Sequence, residues 1–399
     1  MVDQNRNELL RKMVELLELP ESAYEKAVKR YSDIGEWLNR KESNCRDKDP
    51  HIFPQGSFSL GTAIRPLDNR EEYDLDIACK LRKNISKSTH SQFQLKKLIG
   101  AEIELYRLAR NIQSPVDEKH RCWRLEYKDD LSFHIDIVPC IPEDEIRRNK
   151  IYEALRNSGQ DETIATEIMK LSVSITDDRK ANYKIISDDW EISNPEGYTK
   201  WFIARMKKSR EIANILEAQI DQVPLYKRKT PLQRCVQLLK RHRNQWAKGH
   251  EDSKPISIII TTLAARAYQG QSDLYTAMSG ILSDMGSYVN YKKPRVPNPT
   301  NPNEDFADKW YADEGRKLRL EENFWNWLQQ AQIDFNSICT VQNPEMIIDL
   351  ADSKFNVSLK IDEVQKITGL TSTASIKPKI THINDSESSK AWAYFNRNL

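Results

Sequence analysis

Two short apolar segments carry acidic residues at alternate positions, and they constrain this chain more than any other feature. In Tyr73-Asp-Leu-Asp-Ile-Ala-Cys79 and in Leu131-Ser-Phe-His-Ile-Asp-Ile-Val138, apolar residues recur at every second position. That is the period of a strand with one buried face. Asp74 and Asp76 therefore project from one face of the first strand, while Leu75 and Ile77 point into a core. Asp136 stands between Ile135 and Ile137 in the second. A carboxylate in such a strand is costly unless it is paired, hydrogen-bonded or metal-bound. Like charges at i and i+2 repel unless a divalent cation lies between them. If the two strands are neighbours, three carboxylates share a face and form an oxygen-rich site for one or two Mg²⁺ ions.

The pattern around these strands changes along the chain. Residues 5–19 predict an amphipathic helix ended by Pro20. Residues 21–42 predict a second, with Ala23, Tyr24, Ala27, Tyr31, Ile34 and Trp37 at three- and four-residue spacings. Both are expected to pack on the helical part of the molecule. A polar stretch fills 43–51 and a helix is expected over 91–112. Segments 122–127 and 131–138, joined by Lys128-Asp-Asp130 and closed by Pro139 and Pro142, read as a β-hairpin. Another strand is expected at 182–187. From Asn194 onward the pattern is mainly helical, at 199–220, 231–247, 256–270, 305–333 and 344–354. A proline-bearing loop lies at 290–303. Residues 371–399, rich in Ser, Thr, Lys and Asn, read as a mobile tail in which Trp392, Tyr394 and Phe395 are the docking side chains. The expected division is 1–50 N-terminal helices, 51–195 a mixed-sheet lobe, 196–370 a helical lobe and 371–399 the tail.

Composition excludes several classes. The 61 Lys and Arg against 59 Asp and Glu leave a net charge of +2, unlike a DNA-coating or polybasic membrane protein. The longest apolar run, 256–265, falls short of the roughly 18 residues of a membrane span. The first residues lack the basic-then-apolar order of a signal peptide. The six cysteines, at 45, 79, 122, 140, 235 and 339, form no Cys-x-x-Cys pair, so neither a zinc site nor a disulfide framework is indicated. The expected compartment is a reducing cytoplasm.

Directly upstream of the first acidic strand lies Gln55-Gly56-Ser57-Phe58-Ser59-Leu60-Gly61-Thr62. Alone, it reads as a Ser-capped turn whose glycines serve its geometry. Beside three carboxylates, its backbone N–H groups and hydroxyl suit a polyphosphate. The joint pattern, Gly56-Ser57 with Gly61-Thr62, then Asp74-x-Asp76, then one Asp136 in an apolar strand, resembles the DNA-polymerase-β-like nucleotidyltransferases. Within them the chain resembles the bacterial cyclic-oligonucleotide synthases of the cGAS/DncV-like (CD-NTase) family, known from anti-phage (CBASS) signalling. Supporting stretches are Ser193–Phe202, Leu238–Arg243 with Lys254-Pro-Ile-Ser257, and Asn303–Trp310. The resemblance spans about 50–330. It lacks the zinc ribbon of the animal enzyme.

The resemblance implies a bilobal α+β nucleotidyltransferase, with a mixed-sheet catalytic lobe and a helical C-terminal lobe over a nucleotide cleft. It makes Asp74, Asp76 and Asp136 both catalytic and metal-ligating, with two Mg²⁺ (or Mn²⁺) ions. Gln55, Gly56 and Ser57 then hold the donor triphosphate with Lys240 and Ser257. Read without the resemblance, Lys240 belongs to a solvated basic face and Ser257 is a helix cap. His134 is a hydrogen-bonded neighbour rather than a ligand, and either Tyr198 or Tyr288 stacks on a base. The implied product is a cyclic di- or trinucleotide made from NTPs, ATP among them. A regulatory partner, a ubiquitin-like ligase or a peptide-sensing protein, would engage the tail; no membrane or long nucleic acid is expected. The competing readings are a linear-oligonucleotide or RNA-end nucleotidyltransferase and an inactive nucleotide-binding scaffold.

Overall fold

The computed structural model describes residues 2–67, 73–128, 133–207 and 229–369. The chain opens with α1 (Val2–Leu17) and α2 (Glu21–Asn39), then β1 (Pro50–Pro54), the single-turn α3 (Gly56–Leu60) and β2 (Tyr73–Leu81). Next come α4 (Gln92–Ala109), β3 (Asp117–Glu118), β4 (Trp123–Tyr127), β5 (Phe133–Pro142), α5 (Glu145–Asn157), α6 (Glu162–Lys170), β6 (Val173–Ile175), β7 (Glu191–Ser193) and α7 (Pro195–Met206). The remainder is α8 (Pro231–Trp246), α9 (Ser257–Ala267), α10 (Leu274–Asp284), the small hairpin of β8 (Pro297–Asn298) and β9 (Asn301–Asp305), α11 (Asp313–Lys317), α12 (Leu320–Thr340), α13 (Pro344–Phe355) and α14 (Ile361–Thr368).

The main sheet is mixed, in the order β1-β2-β5-β4-β3, with β6 on β5 and β7 on β6. Among the described strands, only β2 and β5 run parallel. Their alternation sends Leu75, Ile77, Ile135 and Ile137 into one core, closed by α4 through Leu95, Ile99 and Ile103. Helix α4 starts in a capping box of Ser91 and Gln94. It packs close to β4 because residue 100 is glycine: a Cβ there would lie 2.3 Å from the Trp123 ring. The Trp123 indole N–H then donates to the Lys96 carbonyl (2.8 Å).

A second, larger core lies among the helices. Pro20 separates α1 from α2, and the two helices part company there. Helix α1 buries Leu10, Met13 and Leu17 among Leu232, Val236 and Leu239 of α8. Helix α2 instead buries Tyr24, Ala27 and Ile34 against the sheet. The expectation that both pack on the helical lobe therefore holds for α1 and not for α2.

Other differences have local causes. Residues 182–187 form turns, not a strand. Tyr183 and Ile185 donate backbone bonds to Lys180 and Asn182, and the Asn182 amide donates to the Asp189 carbonyl (2.8 Å). The extra strands are β6 and β7, and helices α5 and α6 fill a stretch in which no element is expected from the residue pattern. The loop at 290–303 contains β8 and most of β9. No helix runs from 305: the Asp305 carboxylate accepts the backbone N–H groups of Arg295 (2.7 Å), Val296 (2.9 Å) and Ala307 (2.9 Å). These bonds keep the chain out of an α-helix until α11, with one 3-10 turn at Asp308–Trp310 between. The expected helix at 199–220 is seen as α7 to Met206. Its remainder, the turn at 129–130 and the tail at 371–399 with Trp392, Tyr394 and Phe395 lie outside the described residues. Among the described residues, no helix is long and apolar enough to cross a membrane.

Candidate active site

The parallel pairing of β2 and β5 sets Asp76 opposite Asp136 and Asp74 opposite His134. Asp74, Asp76 and Asp136 each place a carboxylate oxygen within 4.8 Å of the other two. Burial, then the Asp136 charge, raises the Asp74 pKa. Burial, then Asp74 and Asp136, pushes Asp76 up to about 7. Three hard oxygen donors that repel one another when alone match the chemistry of a divalent-cation site. The third carboxylate is held from the far side. Arg124, directly across from it on β4, donates from Nε to Asp136 Oδ1 (2.7 Å) and from Nη2 to Oδ2 (2.8 Å). The Cys122 thiol is pushed up to about 12, first by burial and then by the Asp136 charge.

The Gly-Ser turn is pinned to the acidic strand through its backbone. Gln55 N–H donates to the Asp76 carbonyl (2.8 Å). Gly56 follows at φ +61°, where a Cβ would sit 2.7 Å from Asp76 Oδ2. Both the backbone conformation and the space require glycine. Ser57 then opens α3 beside the triad, and its carbonyl accepts the Thr62 N–H (2.9 Å).

Helix α8 supplies the opposite wall. It begins at Pro231 after a capping box of Thr230 and Gln233. Its side chains at 233, 237, 240 and 241 lie on one stripe and donate to successive carbonyls of the segment after α3. Gln233 reaches Leu60 (2.9 Å), Lys240 reaches Thr62 (3.0 Å), Gln237 reaches Ala63 (2.9 Å) and Arg241 reaches Arg65 (2.5 Å). That segment has no sheet partner, and these bonds satisfy carbonyls that would otherwise be orphaned. Lys240 is buried. Burial and then Arg243 push its pKa down to about 7, against the pull of Asp76 and Asp74. Arg243 donates from Nη2 to Ser257 Oγ (2.9 Å) and from Nη1 to the Pro255 carbonyl. Its own value is lowered to about 10 by burial.

A cleft of about 620 Å³ separates the two walls, bordered by Gly56, Ser57, Asp74, Asp76, Lys240 and Ser257. The structure thus brings together the residues expected from sequence, with Asp136 adjoining in the triad. Gln55 does not border the cleft, and its visible contribution is the backbone bond to Asp76. Lys240 does not lie on a solvated face. Ser257 does not cap α9, whose N-cap is Ile256. Neither tyrosine offered for base stacking borders the cleft. Tyr198 is buried against Trp201 and Phe306, with its hydroxyl bonded to Thr262 (2.8 Å), and Tyr288 faces Gln269. The tyrosine that does border it is Tyr73, which lies against Phe133. Sequence reasoning missed the part played by Arg124, whose signal was its place in the strand antiparallel to the Asp136 strand. It also missed Asn244 and Lys254 on the cleft wall and the grip of Arg243 on Ser257.

Comparison with known proteins places this site in a family. Residues 50–140 match the family described as "Cyclic GMP-AMP synthase DncV-like, nucleotidyltransferase domain". A c-di-GMP synthase from Roseivirga ehrenbergii is 30% identical over 307 residues, covering 75% of this chain and 72% of that protein. The cyclic dinucleotide synthase CdnG of Bradyrhizobium diazoefficiens is 23% identical over 320 residues, covering 74% of this chain and 67% of that one. The solved structure of CdnG in complex with GTP superposes with a TM-score of 0.62 at 20% identity, covering 91% of this chain and 98% of that chain.

Proposed function

This chain belongs to the DncV-like nucleotidyltransferases, the family of bacterial cyclic-dinucleotide synthases, and on that premise we propose that it joins nucleoside triphosphates into a cyclic di- or trinucleotide. The observation that carries the reading is the convergence of Asp74, Asp76 and Asp136 on a cleft whose other walls are the Gly56-Ser57 turn and the α8 cations. An inactive scaffold has no use for three mutually repelling carboxylates on one sheet face.

In the proposed reaction, a ribose hydroxyl of one nucleotide attacks the α-phosphate of another and pyrophosphate leaves. Asp74, Asp76 and Asp136 would hold the divalent ions, which supply activation of the hydroxyl and neutralisation of the leaving charge. Ser57 and the turn N–H groups orient the donor triphosphate. Lys240 and Ser257 grip it from the helical wall, with Arg243 holding the Ser257 hydroxyl in place. We divide the chain into a catalytic lobe (51–195) and a helical lobe (196–370), with 1–50 and 371–399 as flanking units, a reading supported by the cleft between the acidic strands and α8. The names of the relatives favour a guanine nucleotide. ATP remains the substrate expected from sequence, and the same assay decides between them. We assign the product a signalling role in anti-phage defence in the bacterial cytoplasm, with a regulatory protein engaging residues 371–399.

The test is incubation with the four NTPs and Mg²⁺ or Mn²⁺, followed by mass spectrometry and alkaline phosphatase. A cyclic product has no terminal phosphate and keeps its chromatographic mobility. If every product shifts after phosphatase treatment, the linear-oligonucleotide reading takes its place.

A further inference from the structure

Three carboxylates on neighbouring strands cannot all stay charged and converge without a counter-charge, and the sheet itself supplies one. Arg124 sits at the cross-strand position from Asp136 on β4 and closes its guanidinium fork on both carboxylate oxygens, at 2.7 and 2.8 Å. Such a planar, bidentate grip fixes the carboxylate plane as well as its position, which a lysine at the same place could not do. It uses one acceptor site on each oxygen and leaves the others available, because an ionised carboxylate offers about four. Asp136 is therefore held in one orientation before any ligand arrives. The Arg124 fork is spent on Asp136, and Asp74 and Asp76 receive no matching grip from it.

The same guanidinium also sets a positive charge beside the three carboxylates. Resting on the metal reading proposed above, we infer that Arg124 is a positioning residue: it aims Asp136, and its charge weakens the hold of the triad on a divalent cation.

The experiment is Mn²⁺ titration of the full chain without nucleotide, followed by electron paramagnetic resonance and calorimetry, together with steady-state kinetics. Wild type binds Mn²⁺. Arg124→Gln, which removes the positive charge, binds it about tenfold more tightly, as expected for loss of a like charge a few ångströms away. Its kcat falls while its KM for NTP stays unchanged. Arg124→Lys keeps the charge and loses the fork, so it retains the wild-type Mn²⁺ affinity and still loses kcat. A merely structural arginine would not tighten Mn²⁺ binding when removed. Arg124→Gln with wild-type Mn²⁺ affinity overturns the inference. If that variant fails to fold, Arg124→Lys decides: intact kcat overturns the inference, and a kcat loss at constant KM supports it. Asp74→Asn separates the two levels. Wild type binding no more Mn²⁺ than Asp74→Asn would defeat the metal reading itself. Wild type binding more Mn²⁺ than Asp74→Asn, with Arg124→Gln identical to wild type, defeats only the role of Arg124.

Discussion

The electrostatic conflict at the triad has a thermodynamic signature that is measurable without substrate. Asp76 is pushed from 3.8 to about 7, first by burial and then by Asp74 and Asp136. An acid whose folded value lies above its unfolded value prefers to be protonated in the folded protein. Its ionised form therefore costs stability above about pH 7, and the cost fades as pH falls towards 4. The gap of about three pH units corresponds to a ceiling of about 4 kcal/mol. Asp76 is half-buried, so water and salt screen it and about 1–2 kcal/mol is the expected gain from Asp76→Asn at pH 8. Part of the gain is offset at Lys240, which loses the nearby negative charge that helps keep it protonated. At an unfolding entropy of about 2.1 cal/mol/K per residue, the variant should melt about 1–3 °C higher than wild type at pH 8 in EDTA. The assay is differential scanning calorimetry of both proteins at several pH values, with and without Mg²⁺. The difference should shrink towards pH 5, and saturating Mg²⁺ should raise the melting temperature of wild type but not of the variant, which should also be inactive. A variant that melts lower than wild type at pH 8 without metal would refute the reasoning. So would a difference that does not change with pH.

Four further outcomes follow from the geometry of the fold and the cleft. Gly56→Ala must adopt φ +61° and bring a Cβ to 2.7 Å from Asp76 Oδ2; kcat/KM should fall more than tenfold at a stability cost of about 1–2 kcal/mol, seen by urea titration. Ser57→Ala should lower kcat/KM by no more than about tenfold, since one neutral hydrogen bond contributes about 0.5–1.5 kcal/mol. Lys240→Met should cost more, because it removes a buried cation and leaves the Thr62 carbonyl unpaired; equal, near-wild-type kinetics for both would place the triphosphate elsewhere. Gly100→Ala drives a Cβ to 2.3 Å from the Trp123 ring and should destabilise the chain by about 1–3 kcal/mol in a denaturant melt while leaving the KM for NTP unchanged in the folded fraction.

What could be read from the sequence depended on how local each signal was. Asp74, Asp76 and Asp136 were legible because period-2 alternation fixes which face a side chain takes, and apolar neighbours make a stray carboxylate conspicuous. Gly56 was legible as a turn, but its spatial reason, the approach of Asp76 Oδ2, needed the β1–β2 pairing. Lys240 looked like a member of a solvated basic run. Only the fold reveals that Gln233, Gln237, Lys240 and Arg241 form one stripe that satisfies the carbonyls of Leu60, Thr62, Ala63 and Arg65, at the end of α3 and in the irregular segment after it. The same limit explains Arg124, whose partner is twelve positions away in sequence and directly opposite in the sheet. It explains Tyr198 as well: an aromatic near the start of a helix carries no mark of whether it faces a cleft or, as here, Thr262 and Phe306. Residues 182–187 and 305–312 were misread because side-chain-to-backbone bonds from Asn182 and Asp305 override the propensities of their neighbours. In this chain the chemistry announces itself where one strand suffices to state it, and becomes hidden where two distant elements must meet to complete it. The cleft is the place where most such meetings occur.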